Sequence, residues 1–321
     1  MRVLSIDGGG IRGLIPAVVL AEVERRTNRR ISELFDLIAG TSTGGILACG
    51  LTAPSPEDPS RPRYRAEELI GLYEEEGPRI FARSLLKRIF SVQGLFDERY
   101  EADGLDRALA RYLGDARLSE TLTPVFITAY DLQERSAFFF RSERARRDPD
   151  RDDYTLADAA RATAAAPTYF EPVEVRPVGA DDDARGRPLI DGGVFATNPA
   201  MCAYAEVLRD PEARVELVAS LGTGELTRPI PIAEARWWGQ LQWARPVLDA
   251  VFDGVADTVD FQLDRLLPLG GYVRLQTELR LASDDLDDAS ADNLARLREE
   301  AERLVAARDA DLDALCARLT A

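Results

Sequence analysis

The chain has 321 residues, a formal net charge of −16 and no histidine. The missing imidazole excludes a Ser-His-Asp triad, a Cys-His nucleophile and an imidazole-based zinc site. The negative charge opposes nucleic-acid binding, which needs a basic footprint, and gives no global attraction to anionic lipid, so any membrane contact must be local.

Val3–Ile6 reads as a short buried strand, entered so early that a signal peptide has no room before it, and a cytoplasmic protein is expected. Gly8, Gly10 and Gly13 then satisfy G-x-G-x-x-G, a loop whose backbone N–H groups serve negative charge at a helix N-terminus. Leu14, Val18, Val19 and Val23 have helical spacing, which predicts a helix from Gly13 to about Thr27. Leu34–Ala39 reads as a second strand, running into Gly40–Gly45 and a further helix carrying Ile46, Leu47 and Leu51. This alternation is the rhythm of a parallel α/β sheet. Thr52–Arg63 is a proline-rich loop, and Arg65 to about Phe81 is helical. Arg79–Val92 interleaves Arg83, Lys87 and Arg88 with apolar residues, the composition of a helix that lies on lipid or packs on the sheet.

Pro124–Tyr130 and Ala137–Phe140 read as a hairpin, and Arg141–Asp153 as a charged, mobile surface loop. Thr155–Ala166 is helical up to Pro167, and a polar loop, Gly179–Pro188, leads to Leu189–Ile190 and Asp191-Gly192-Gly193. Val215–Leu221 is a strand ending in Gly222-Thr223-Gly224. Trp237–Leu267 is mainly helical, with Trp237, Trp238, Leu241, Leu248, Val251, Phe252 and Val255 near one face. Lipid contact, oligomer contact and core packing are all open for the span 237–255. Tyr272–Leu275 is a last strand, and Asn293–Leu319 a charged helix or helix pair with the look of a solvated face. Cys49, Cys202 and Cys316 are far apart, which suits reduced core residues, and no apolar run reaches the roughly 18 residues of a membrane span.

Gly40-Thr41-Ser42-Thr43-Gly44 matches G-x-S-x-G, which sets a serine on a crowded strand-to-helix turn. A turn that merely caps a helix reads the same way. Without histidine, a nucleophilic serine needs a carboxylate as base. An ordinary Asp, with a pKa of about 4, is too weak unless burial raises it. Asp7, Asp36 and Asp191 stand near strand ends; Asp36 falls inside a strand pattern and is expected to be structural. Asp191, before Gly192 and Gly193, is either the base or an ordinary turn aspartate. Oxyanion donors are available from the N–H groups of Gly8, Gly9, Gly10 and Thr43. A dinucleotide site also wants an acid at the end of the second strand, and that strand ends at Gly40. A Walker A loop is excluded because Lys87, the sole lysine, lies elsewhere. No metal or cofactor is called for.

"DGGGIRG", "GTSTGG", "AAPTYF" (Ala165–Phe170) and "DGGVFATNPA" (Asp191–Ala200) occur in that order. Together they resemble the patatin-like phospholipases, Ser-Asp dyad acyl hydrolases, over roughly Arg2 to Gly224, and "YVRLQ" and "LDDAS" further on resemble bacterial members. The resemblance implies a three-layer α/β/α sandwich around a mixed, mostly parallel sheet, with a catalytic domain over 1–225 and a helical C-terminal extension over 226–321. It implies Ser42 as nucleophile, Asp191 as base, Gly8–Gly10 as oxyanion hole and Arg12 as the arginine beside it, with Gly13, Gly40, Gly44, Gly192 and Gly193 in support. Membrane phospholipid is the implied substrate, met through 79–92 or 237–255, and homo-oligomerisation is compatible with it. Some bacterial members are antiphage effectors switched on by a cyclic nucleotide, and the chain is compatible with that activator too.

Overall fold

The computed structural model describes residues 1–81, 103–181, 185–225, 229–243 and 246–321. The sheet is built from β1 (Arg2–Ile6), β2 (Leu37–Gly40), β3 (Val125–Asp131), β4 (Ser136–Arg141), β5 (Val173–Val175), β6 (Arg187–Asp191), β7 (Leu217–Leu221) and β8 (Tyr272–Leu275). The longer helices are α1 (Leu14–Thr27), α2 (Thr43–Thr52), α3 (Asp103–Leu113), α4 (Leu156–Thr163), α5 (Ala200–Val207), α6 (Pro246–Leu266), α7 (Ala291–Ala307) and α8 (Asp309–Thr320).

The layers follow from strand alternation, because successive side chains leave opposite faces of a sheet. Leu4, Ile6, Ile38 and Ile127 join one buried cluster with side chains of α1, α2, α4, α7 and α8. Val3, Leu37, Ala39 and Phe126 join a second with Ala200, Ala203 and Val207 of α5 and Val259 and Leu263 of α6. Helices therefore cover both faces, giving the expected α/β/α sandwich. β3, β2, β1, β7 and β8 run parallel, while β4, β6 and β5 add antiparallel pairs, so the sheet is mixed.

One edge of β3 brings two distant segments together. β4 pairs with Phe126–Asp131 and so occupies one edge. The other edge is shared: β2 pairs along Val125–Ile127, and β6 pairs antiparallel along Ala129–Asp131. Gly40, the last residue of β2, lies opposite Ile127, and Asp191, the last of β6, opposite Ala129. The two strands thus run toward each other and stop on either side of Thr128. Whatever follows Gly40 is delivered to whatever ends β6.

Several local expectations are corrected. Leu34 closes a short helix, Ile31–Leu34, so the second strand starts only at Leu37. Asp36 lies just before it, its Oδ2 accepting the Arg2 N–H at 2.6 Å. The expected mobile loop at 141–153 forms two short helices, Ser142–Arg147 and Pro149–Asp152. Ala145 is fully buried there and the Ser142 Oγ accepts the Val125 N–H at 2.9 Å, anchors that its charged composition hides. The C-terminal pair is not a solvated face: Leu294, Leu297, Ala301 and Leu304 recur at helical spacing and are buried, with α7 packed on α1. Trp237 ends a turn, Trp238 lies in irregular chain and Gln240–Trp243 forms a separate short helix before α6, so the residues between 237 and 255 do not form one helical face. Most of 79–92 lies outside the described residues. Cys49, Cys202 and Cys316 are free thiols.

Candidate active site

Ser42 sits between β2 and α2 with φ 54° and ψ −124°, in the left-handed half of backbone space that non-glycine residues rarely enter. The turn is crowded enough that the residues two away on either side, Gly40 and Gly44, must lack side chains. A Cβ on Gly40 would lie 2.3 Å from the Gly44 carbonyl oxygen, and one on Gly44 would lie 2.1 Å from that of Ile6. The Ser42 N–H donates to Thr163 Oγ1 of α4 at 2.8 Å, pinning the turn from outside. Thr43 begins α2, and its hydroxyl lies 2.6 Å from that of Tyr73. A Cβ on Gly13 would collide with these same two hydroxyls, which explains glycine there. Ser42 is thus held out of the turn by strain and by bonds to residues that were invisible in the local pattern.

Asp191 closes β6 beside it. The Ser42 hydroxyl is the neutral hydrogen-bonding neighbour of the Asp191 carboxylate, and the Gly193 N–H donates to Oδ1 at 2.7 Å. Asp191 is 2% exposed. Burial pushes its carboxyl up to about 7, against the opposing pull of those two hydrogen bonds. A carboxyl poised there can accept a hydroxyl proton near neutral pH. Gly192 packs its Cα against Thr128, the residue between the two strand ends. Thr128 also shares a 2.7 Å hydrogen bond with Thr41. Asp36 does not line this cavity.

The glycine loop faces the same place from β1, with Gly8 in contact with Ser42. Its N–H groups are not equivalent. The Gly8 N–H already donates to the Thr197 carbonyl at 2.9 Å, so the expectation that Gly8 is an oxyanion donor is corrected: that N–H is spent on closing the end of β1. Among the described residues the N–H groups of Gly9, Gly10 and Thr43 have no acceptor. Arg12 is buried, and its backbone N–H and Nε both donate to the Gly9 carbonyl, at 3.1 and 3.4 Å, fixing the loop from within. Asp7, just before the loop, is a buried anion: its Oδ2 accepts from Arg274 Nη2 of β8 at 2.6 Å, and Arg274 Nη1 donates to Ser220 Oγ at 2.9 Å.

These parts line a single cavity of about 260 Å³ that holds Ser42, Asp191 and Gly8–Gly10. One wall is apolar, formed by Ile46, Leu72, Ile80, Phe81, Leu105 and Phe170. The other carries Thr223, Glu225, Asp253, Asp257 and Arg274. Among the described residues no group of three or more carboxylates or thiols is placed to hold a metal ion. No helix among them is long and apolar enough to cross a membrane.

Residues 4–204 match a family model described as patatin-like phospholipase. The chain belongs to the patatin-like phospholipase family. Patatin-like protein 2 of Arabidopsis thaliana is 35% identical, covering 95% of this chain and 83% of that one. Patatin-like protein 4 of the same plant is 32% identical, with coverage of 95% and 83%. A Solanum tuberosum relative named "Probable inactive patatin-3-Kuras 1" is 31% identical, covering 95% of this chain and 86% of its own. Family membership supports lipid acyl hydrolysis, but it includes a chain with that name, so the residues of this patatin-like chain must carry the chemistry. Tyr73, Thr128, Thr163, Thr197, Thr223 and Arg274 all touch its serine turn, its aspartate strand or its glycine loop. The sequence signalled Thr223 in a glycine-flanked strand end and carried Thr197 and Arg274 inside quoted motifs without giving them a role. The others reach the site through tertiary contacts alone.

Proposed function

We propose that this patatin-like protein hydrolyses acyl esters of phospholipid or lysophospholipid through an acyl-serine intermediate, with Ser42 as nucleophile and Asp191 as base. The observation that carries this reading is that one cavity with an apolar lining holds the strained Ser42 beside the buried Asp191, whose carboxyl burial pushes up to about 7. Ser42 Oγ attacks the ester carbonyl carbon as its proton passes to Asp191. The carbonyl oxygen becomes an anion, stabilised by the N–H groups of Gly9, Gly10 and Thr43 at the start of α2. The C–O bond to the alcohol breaks, and the alcohol leaves with the proton from Asp191. Water, giving a proton to Asp191, then attacks the acyl carbon, the bond to Ser42 Oγ breaks as Asp191 returns that proton to it, and the fatty acid is released. The apolar wall suits the acyl chain. The carboxylates of the opposite wall oppose a bound pyrophosphate, which weighs against a dinucleotide in the glycine loop.

Lipid contact through 237–255 is part of this proposal. Trp237 is 85% exposed, and Val247 and Val251 of α6 are exposed, while Phe252 and Ala256 on the same helix line the cavity. An apolar rim joined to the cavity wall suits a substrate that leaves a bilayer acyl-chain first.

The test is a fluorophosphonate probe together with mass spectrometry of lipid products. Wild type should be labelled at Ser42 and release fatty acid, and Ser42→Ala should do neither. Ester hydrolysis that survives Ser42→Ala would overturn the reading. Adding cyclic di- and trinucleotides to the same assay tests the activator compatible with bacterial members, and full turnover by the bare chain removes it.

A further inference from the structure

The loop that supplies the oxyanion donors is held by chain outside residues 4–204, the span matched by the family model. The Asp7 N–H donates to the Leu221 carbonyl at 3.0 Å, the Ile11 N–H to the Leu286 carbonyl at 2.9 Å, and Thr223 Oγ1 to the Gly8 carbonyl at 2.7 Å. The third bond has a consequence for direction. A trans peptide is planar, with its C=O and N–H pointing opposite ways, and the described chain has no cis peptide. The Gly8 carbonyl and the Gly9 N–H belong to one such plane. A hydroxyl that holds the carbonyl on the Thr223 side therefore turns the Gly9 N–H to the opposite side. By the same rule, Arg12, holding the Gly9 carbonyl, turns the Gly10 N–H.

The planes on either side are tied by the Gly8 N–H to Thr197 and by Arg12 to the Gly9 carbonyl, and the bond to the Gly8–Gly9 plane itself comes from Thr223. Glycine meets almost no steric barrier to rotation, and Gly9 lacks a side chain because a Cβ would lie 2.2 Å from Thr223 Oγ1. A rotated Gly8–Gly9 peptide would present a carbonyl oxygen where the site needs a donor, replacing attraction for the oxyanion by repulsion.

We propose that Thr223 is a positioning residue for the acyl-transfer reaction: its buried hydroxyl fixes the Gly8–Gly9 peptide plane and so aims the Gly9 N–H at the developing oxyanion. This rests on the Ser42 hydrolase reading given above. Although Thr223 lines the cavity, its hydroxyl proton is committed to the Gly8 carbonyl, so its loss is expected to weaken the transition state more than substrate binding.

The test compares Thr223→Val, which keeps shape and removes the donor, with Thr223→Ser, which keeps the donor, on a soluble short-chain ester. Thr223→Val should lower kcat up to about 100-fold with KM little changed, the low end of an oxyanion-donor loss because the donor is freed rather than removed. Thr223→Ser should recover most of the kcat that Thr223→Val loses, because it keeps the hydroxyl donor. Phosphonylation of Ser42 by the fluorophosphonate should slow in parallel with kcat, because it needs the same donor. If Thr223→Val does not fold, Thr223→Cys, with its weak thiol donor, takes its place and should fall well below Thr223→Ser. A Val variant with wild-type kcat, or Ser and Cys variants of equal kcat, would overturn the proposal. A wild type without Ser42-dependent hydrolysis would overturn the hydrolase reading instead, so the two failures are distinct.

Discussion

Asp7 and Asp191 begin from the same chemistry and end in different roles. Each stands at the end of a strand of one sheet, each is 2% exposed, and both line one cavity. Burial pushes both carboxyls up, to about 6 and about 7. Their partners differ. Asp7 is paired at 2.6 Å with Arg274, whose guanidinium is nearly as buried. Asp191 meets only neutral donors, the Ser42 hydroxyl and the Gly193 N–H, and makes no ion pair among the described residues. A proton on Asp7 would strand a buried cation, which is costly. A proton on Asp191 strands nothing. Burial beside a neutral hydroxyl suits the base role proposed for Asp191, while burial beside a guanidinium suits an anchor.

The sharpest way to break this comparison is turnover. Asp191→Asn should lower kcat on a soluble ester at least about 10³-fold, as removal of a triad or dyad member does, with the fold retained by circular dichroism. Asp7→Asn should leave kcat within about tenfold. Equal losses would mean that the two carboxylates share the chemistry. Next comes stability. Asp7→Asn takes the 2.6 Å carboxylate from the largely buried Arg274, leaving Asp260 as a further attracting charge, and should cost up to about 3 kcal/mol in urea unfolding. Replacing both, Asp7→Asn with Arg274→Met, should recover much of that loss.

The pH dependence separates them further. Asp191 must be unprotonated to act, so kcat/KM should fall about tenfold per pH unit below about 7. Stability runs the other way. Folded Asp191 keeps its proton up to about 7, whereas the unfolded chain loses it near 4. Between those values the folded state binds the extra proton, so wild type should lose stability relative to Asp191→Asn as pH rises through that window, and stay level above it. A flat difference between the two proteins would show that Asp191 is not desolvated. The smallest effect is backbone strain at the nucleophile. Ser42→Gly suits a φ of 54° and should unfold about 1 kcal/mol later than Ser42→Ala.

Much of this molecule was legible in one dimension because its rules are local. Helical spacing in Leu14–Val23 needs only neighbours a turn apart, and the crowded Gly40–Gly44 turn needs only its own glycines. Those features announced the strand, the serine turn, the glycine loop and the absence of an imidazole, and with them the α/β class. Composition misled where burial of one residue outweighs many charges: Ala145 anchors two helices inside a segment that reads as a loop, and Leu297 buries a helix that reads as solvated. The site itself needed three dimensions. The choice of Asp191 over Asp7 depends on β2 and β6 ending on either side of Thr128 along one edge of β3, and on Arg274 arriving from the last strand. The choice of donor in the glycine loop depends on Thr197 taking the Gly8 N–H and Thr223 the Gly8 carbonyl. A sequence carries the identity of a carboxylate or a peptide group, but its proton affinity and direction are set by what the folded chain places against it.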